Sequence, residues 1–146
     1  MEPITVMRLG PADIGFARQA VRDVHQRAQI NDAELAPFLA DAANHLHVAV
    51  HADEVVGSLN GYALRHAGRR EPQFLLYEID VRAAWRRRGI ATRLVESFVA
   101  AARDERAFEV WVLTNASNDA AMALYRRCGF VRRNADDVML SVELSG

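Results

Sequence analysis

The chain has 146 residues and a formal net charge of -1, with 18 Lys and Arg against 19 Asp and Glu, so no global charge recommends a nucleic-acid partner. Hydrophobic residues make up 51% and charged residues 25%, as expected of one globular domain over residues 1–146 with a buried core. The one cysteine, Cys128, excludes an internal disulfide framework and a Cys-based zinc site, and makes a reducing cytoplasm the default location. No apolar run is long enough to span a membrane, and MEPITVMRLG lacks the charged-then-apolar pattern of a signal peptide.

In chain order, Ile4 to Leu9 reads as a short strand broken by Gly10-Pro11. From Asp13, Ile14, Ala17, Val21, Val24 and Ala28 recur at three- and four-residue steps and describe one helix face. Asn31 or Asp32 caps a second helix carrying Leu35, Phe38, Leu39 and Ala42, with a kink expected near Ile30. His45 to His51 alternates Leu46, Val48 and Val50 against His45, His47, Ala49 and His51. That pattern predicts a half-buried strand with its histidines on the solvated face, and no third ligand accompanies them, so no metal site is expected. A turn at Ala52–Glu54 leads to an antiparallel return over Val55 to Leu64, where Gly57 and Gly61 mark bulges or close backbone contacts. His66 to Gln73 reads as a polar, mobile loop.

The central stretch is Phe74 to Ala102. It reads as an apolar strand to Val81, a short arginine-rich loop, and an amphipathic helix from about Thr92 that buries Leu94, Val95, Phe98, Val99 and Ala102. Phe108 to Leu113 is a further strand, parallel to Phe74–Val81 by the handedness of a strand-helix-strand crossover. Ser117 or Asn118 caps a helix through Arg127, and Gly129 ends it. Asp137 to Leu144 alternates through Val138, Leu140, Val142 and Leu144 as a last strand. The fold class is α+β: a mixed, mostly antiparallel sheet of six to seven strands with helices on both faces.

The loop between strand and central helix concentrates donors. A helix start leaves free N–H groups and a partial positive charge, Gly89 permits close approach, Ala91 keeps the space open, and Arg86 and Arg88 add charge-assisted contacts. Together these predict a phosphate-bearing ligand. Glu78 and Asp80 on the preceding strand are acids on an otherwise apolar element, and buried carboxylates are costly without a purpose.

The spacing Arg86-Arg87-Arg88-Gly89-Ile90-Ala91 after an apolar strand, followed by Asn118, Ala121, Leu124, Tyr125, Gly129 and Phe130, resembles the GNAT superfamily of N-acetyltransferases. Five segments are further similar to aminoglycoside 3-N-acetyltransferases of the gentamicin type: RLGP at Arg8–Pro11, VVGSLNGYAL at Val55–Leu64, LYEIDV at Leu76–Val81, WRRRGIATRL at Trp85–Leu94, and DDVML at Asp136–Leu140. Those enzymes resemble this one with an aspartate at the Glu78 position and a small residue at Asp80.

The resemblance implies acetyl-coenzyme A as cofactor, held by backbone at Ile79, Asp80 and Val81, by the loop and helix start from Arg86 to Thr92, and by Asn118, Ala121 and Tyr125. It implies direct transfer to an amine with no covalent acetyl-enzyme. Such chemistry needs a base for the amine proton and an acid for the leaving thiolate. Glu78 is the expected base and Tyr125 the expected acid. Tyr77, Glu78, Asp136 and Asp137 are the expected acceptor contacts, the acids suiting a polycationic aminoglycoside. The alternatives are a polyamine, another small amine or a protein N-terminus as acceptor, or a non-catalytic acyl-coenzyme A-binding module. The expected partner is thus a small-molecule amine, with neither nucleic acid nor membrane. Family members often dimerise, which adds a homodimer to the expected partners.

Overall fold

The structure is a computed structural model and describes residues 2–27 and 31–145. Its strands are β1 (Thr5–Arg8), β2 (Asn44–His51), β3 (Glu54–His66), β4 (Arg69–Val81) and β5 (Glu109–Val112). Its helices are α1 (Ile14–Gln19), α2 (Asp32–Ala40), α3 (Ile90–Asp104) and α4 (Asp119–Arg127). The sheet runs β1-β2-β3-β4-β5, antiparallel except for the parallel β4–β5 pair that the crossover predicts. Among the described residues five strands form, where the sequence pattern suggests six or seven.

Helices cover both faces of the sheet. On one, Leu94, Val95, Phe98 and Ala102 of α3 and Leu124 and Tyr125 of α4 pack on Leu59, Phe74 and Leu76. On the other, Ala17, Ala20, Val24, Leu35 and Leu39 pack on Leu46, Val48 and Val55. α1 continues through a wider π turn over Ala20–Val24. Asn31 caps α2 by accepting from the Glu34 amide at 3.1 Å. The expected kink near Ile30 and the helical placement of Ala28 lie outside the described residues. Among the described residues, no helix is long and apolar enough to cross a membrane.

Three local expectations are corrected. His66–Gln73 is not a loop: β3 and β4 extend past it and join through Ala67-Gly68, because antiparallel pairing at a sheet end tolerates polar side chains. Arg69 lies over the Phe108 ring at 3.6 Å, and His66 bonds Gln73 at 3.0 Å, which fixes that end. His45 and His47 are not solvated but fully buried, because β2 is an inner strand and α3 covers the face that alternation leaves polar. Asp137–Leu144 forms no strand among the described residues, and its alternating apolar side chains stay in solvent.

Gly57 and Gly61 are sites of close approach. A Cβ at Gly61 would stand 2.4 Å from Phe98 Cζ and 2.9 Å from the Leu75 carbonyl oxygen. α3 therefore rests directly on the β3 backbone, which sets the position of its N-terminus at the end of β4.

Candidate active site

The β4–β5 ladder pairs Gln73 to Leu76 with Glu109 to Val112 and stops there, while β4 runs on to Val81. Among the described residues, Ile79, Asp80 and Val81 thus have no ladder partner on the β5 side. α3 begins at Ile90, beside that opening. Its N-cap, Gly89, has φ +76 and offers no side-chain cap, so the first-turn amides remain available to a ligand. Arg87 is also left-handed, at φ +62, and the loop wraps the helix start. Ile90 anchors α3 in the core, and Ala91 and Thr92 are half-buried at the rim.

The three arginines divide their work. Arg86 Nε donates to the Val81 carbonyl at 2.9 Å and Nη2 lies 3.3 Å from Asp80 Oδ1, which pins the loop to the end of β4. Asp80 Oδ1 also accepts from the Val81 amide at 2.8 Å. Arg88 stacks over Trp85 at 4.8 Å. Arg87 makes no side-chain hydrogen bond or ion pair among the described residues. Arg127, which the sequence reading passed over, brings its Nε within 3.3 Å of Thr92 Oγ1 and joins α4 to this turn. Asn118 caps α4, its Oδ1 accepting from the Ala121 amide at 3.1 Å.

The other half of the site is made by a bulge. Asn60 pairs with Glu78 and Gly61 with Leu76, so Tyr77 is the extra residue on β4. Before it, Phe74 and Leu76 face α3; after it, Ile79 and Val81 do. Glu78 and Asp80 are thereby turned to the face of α1 and α2. Arg27 Nη2 reaches Glu78 Oε2 at 2.6 Å. Tyr77 is 57% exposed, edge-on to Tyr62, which in turn meets Phe38 of α2.

Around Glu78 and Asp80 lie three polar groups that the sequence reading missed. Ser58 and Asn60 stand across from Asp80 and Glu78 on β3. Ser58 Oγ, Asn60 Oδ1 and His25 Nε2 are buried without a hydrogen-bond partner among the described residues. Burial pushes the His25 imidazole below its ordinary value, against the opposing pull of Glu78. Three orphaned polar atoms near the Glu78 and Asp80 carboxylates mark a polar recess, since such groups are costly unless something satisfies them. Serine and asparagine inside a strand of apolar character were the available signal.

Tyr125 sits in the core on α4, its ring 5.6 Å from that of Phe130. Burial raises its phenol above the ordinary 10.0, so it stays protonated at neutral pH. Its hydroxyl makes no hydrogen bond among the described residues. Asp136 and Asp137 are not brought to Glu78: they lie in an exposed turn beyond α4, where the Asp136 amide donates to Asn134 Oδ1 at 2.9 Å.

Comparison with known proteins matches residues 15–130 to the acetyltransferase (GNAT) family. N-alpha-acetyltransferase RimI of Mycobacterium tuberculosis is 32% identical over 138 residues, covering 90% of this chain and 80% of RimI. Human N-acetyltransferase 8 is 32% identical over 93 residues, 64% of this chain but only 41% of that relative's length. Among solved structures, the aminoglycoside acetyltransferase meta-AAC0020 from an uncultured soil metagenomic sample, in complex with trehalose, superposes with a TM-score of 0.83 at 20% identity, covering 96% of this chain and 97% of that one. Aminoglycoside N-acetyltransferase AAC(6')-Iy in complex with CoA gives 0.76 at 16% identity, covering 98% and 96%. At those identities the two structures speak to the fold alone. The family match over most of the chain and the RimI alignment over nearly all of it lead to one conclusion: this chain belongs to the GNAT family of acetyltransferases, enzymes whose acyl donor is acetyl-coenzyme A.

Proposed function

We propose that this N-acetyltransferase acetylates a primary amine of an aminoglycoside, at the 3-amino position. The observation that carries the reading is the Tyr77 bulge. It turns Glu78 out of the α3 core into a polar recess beside the open edge of β4, where an acceptor amine can meet a thioester. The segments similar to gentamicin-type enzymes, from Arg8–Pro11 to Asp136–Leu140, support the same acceptor.

The donor side fits its ligand. The uncapped α3 start, with Gly89, Ile90, Ala91 and Thr92, suits a diphosphate, and Arg87 and Arg88 add charge. The unpaired backbone at Ile79, Asp80 and Val81 suits a pantetheine arm, with Asn118 and Ala121 at the far wall. Arg86 serves by bracing the loop. Bound there, acetyl-coenzyme A supplies the thioester carbonyl. Glu78 takes the proton that the attacking amine loses as its C–N bond forms. Tyr125 returns a proton to the sulfur as the C–S bond breaks. Tyr77 offers a ring face to a sugar, and Glu78 a carboxylate to its ammonium groups. Asp136 and Asp137 complete this assignment only where the acceptor extends to the turn beyond α4.

A second reading rests on the RimI relative: the acceptor would be a protein N-terminal α-amine. The arginine partners of Glu78 and Asp80 favour it, since they offset the negative charge a polycation would seek. Thioester consumption with gentamicin, spermidine and an N-terminal peptide decides between them. Turnover with gentamicin at the 3-amino group is the expected result; turnover with the peptide alone overturns the aminoglycoside assignment.

A further inference from the structure

A regular strand sends successive side chains to opposite faces, so an aromatic ring and a carboxylate adjacent in sequence normally part company. At Tyr77 and Glu78 they do not. Gly61 pairs with Leu76 and Asn60 with Glu78, which leaves Tyr77 as the extra residue of the bulge. Leu76 before it and Ile79 after it both pack on the α3 side. Tyr77 meets Tyr62 with ring centroids 5.8 Å apart, and Tyr62 meets Phe38 of α2 at 6.4 Å, both edge-on. Tyr77 and Glu78 therefore stand side by side on the face of the sheet that α2 flanks.

The three rings make a wall built by three elements. Phe38 and Tyr62 are half-buried, and Tyr77 is exposed. Asn60 Nδ2 donates to Tyr62 Oη at 3.2 Å, which holds that ring in place and leaves its own O–H proton to donate. Tyr77 leans on the ring so fixed and keeps more than half of its surface open. A large aromatic held in this way, beside a carboxylate, suits a ligand with an apolar face and an amine on one ring. The C–H face of a saturated ring lies on Tyr77 while the amino group at its edge meets Glu78. An amine on an open chain offers no such face.

We propose that Tyr77, braced by Tyr62 and Phe38, determines acceptor specificity by selecting an amine borne directly on a saturated ring, as in an aminosugar or aminocyclitol, over an amine on an open chain. The proposal rests on the aminoglycoside reading above and narrows it: the ring that carries the reacting amine is the ring that stacks. The wall also supplies what the acids alone do not. Glu78 and Asp80 are offset by Arg27 and Arg86, whereas contact with an aromatic face needs no free negative charge.

The test uses the full chain, with coenzyme A present and gentamicin as the probe. By NMR, C–H protons of the ring that bears the 3-amino group are expected to shift upfield on binding to the wild type, under the ring current of Tyr77, and not on binding to Tyr77→Leu. In acetyl transfer, Tyr77→Leu is expected to raise the gentamicin KM about two- to ten-fold, the scale of one aromatic contact, with the KM for acetyl-coenzyme A unchanged. Tyr77→Phe and Tyr77→Trp keep a ring and are expected to keep both readouts. Spermidine, an open-chain amine, is expected to be the poorer acceptor, and Tyr77→Leu to narrow the gap. The melting temperature should hold in all three variants, because Tyr77 is 57% exposed. Gentamicin acetylated without the upfield shifts, or equally well by Tyr77→Leu, overturns the ring subsite and leaves the acceptor reading standing. Gentamicin that shows the shifts but is not acetylated overturns the acceptor reading and leaves the subsite. No binding of gentamicin overturns both, and a wild type that prefers spermidine overturns the subsite.

Discussion

Arg27 Nη2 stands 2.6 Å from Glu78 Oε2, so the acid assigned as base is already engaged by a cation from the end of the α1 segment. An acceptor ammonium and the Arg27 guanidinium compete for the same oxygen. Arg27 is the more solvated partner, at 55% exposure against 23%, and so the one that can be displaced.

Glu78→Gln keeps the shape of the recess and removes the base. A fall in kcat/KM of about 10²- to 10⁴-fold is expected. Arg27→Ala is expected to leave the KM for acetyl-coenzyme A unchanged and to lower the acceptor KM by up to about five-fold, the scale of an exposed ion pair. Steady-state kinetics with each substrate varied checks both. A raised acceptor KM in Arg27→Ala would mean that the arginine contacts the acceptor instead.

Tyr125→Phe retains the ring against Phe130 and deletes the hydroxyl alone. With the phenol raised above 10.0 by burial, the wild-type residue holds its proton throughout the neutral range. The expected result is a kcat loss of about 10²-fold with little change in melting temperature. Equal losses of activity and stability would reassign Tyr125 to packing.

The layout of the proposed cofactor half, strand, glycine and helix start, was legible in the sequence because it depends on local order. The crossover and the Asn118 cap were legible for the same reason. The acceptor half was less so. Ser58 and Asn60 lie on β3, His25 and Arg27 before α2, and only the sheet register and the Tyr77 bulge gather them around Glu78. A one-residue bulge changes which side chains share a face, and periodicity does not announce it. The buried histidines were misread for a related reason. Alternation identifies the polar face of β2 but not the helix, with Ser97 50 residues beyond His47, that covers it.

Gly61→Ala tests how closely α3 rests on β3. The added Cβ meets Phe98 Cζ at 2.4 Å and the Leu75 carbonyl at 2.9 Å, and a backbone atom cannot step aside. A destabilisation of about 3 kcal/mol, the upper end for overpacking, is expected in denaturant unfolding. Gly57→Ala meets only side-chain ends, those of Ile90, Leu94 and Val81 at 3.1, 3.2 and 3.4 Å, and should cost about 1 kcal/mol. The reverse order would show that the helix does not sit as described.

The buried pair His45 and His47 should govern acid stability. Their rings stack, His45 Nδ1 lies 3.2 Å from His47 Nε2, and His47 Nδ1 lies 2.7 Å from Ser97 Oγ. Burial, with Arg8 nearby, lowers His45 to about 4; burial, His45 and Arg8 lower His47 to about 3. Glu105 Oε2 is 3.2 Å from His45 Nε2 but does not outweigh burial. Above the ordinary 6.5 both rings are neutral whether the chain is folded or not, and they contribute no pH dependence. Below it the unfolded chain takes up protons that the folded chain refuses. Stability should therefore fall as pH drops from 6.5 to about 4, by up to about 1.4 kcal/mol per pH unit for each histidine, with His47 continuing to about 3. Denaturant unfolding across this range, compared with His45→Leu combined with His47→Leu, checks the assignment. The double variant should flatten the profile even if its stability at neutral pH is lower, because flattening reports the titration and not the packing. An equally steep profile would place the acid lability on other groups.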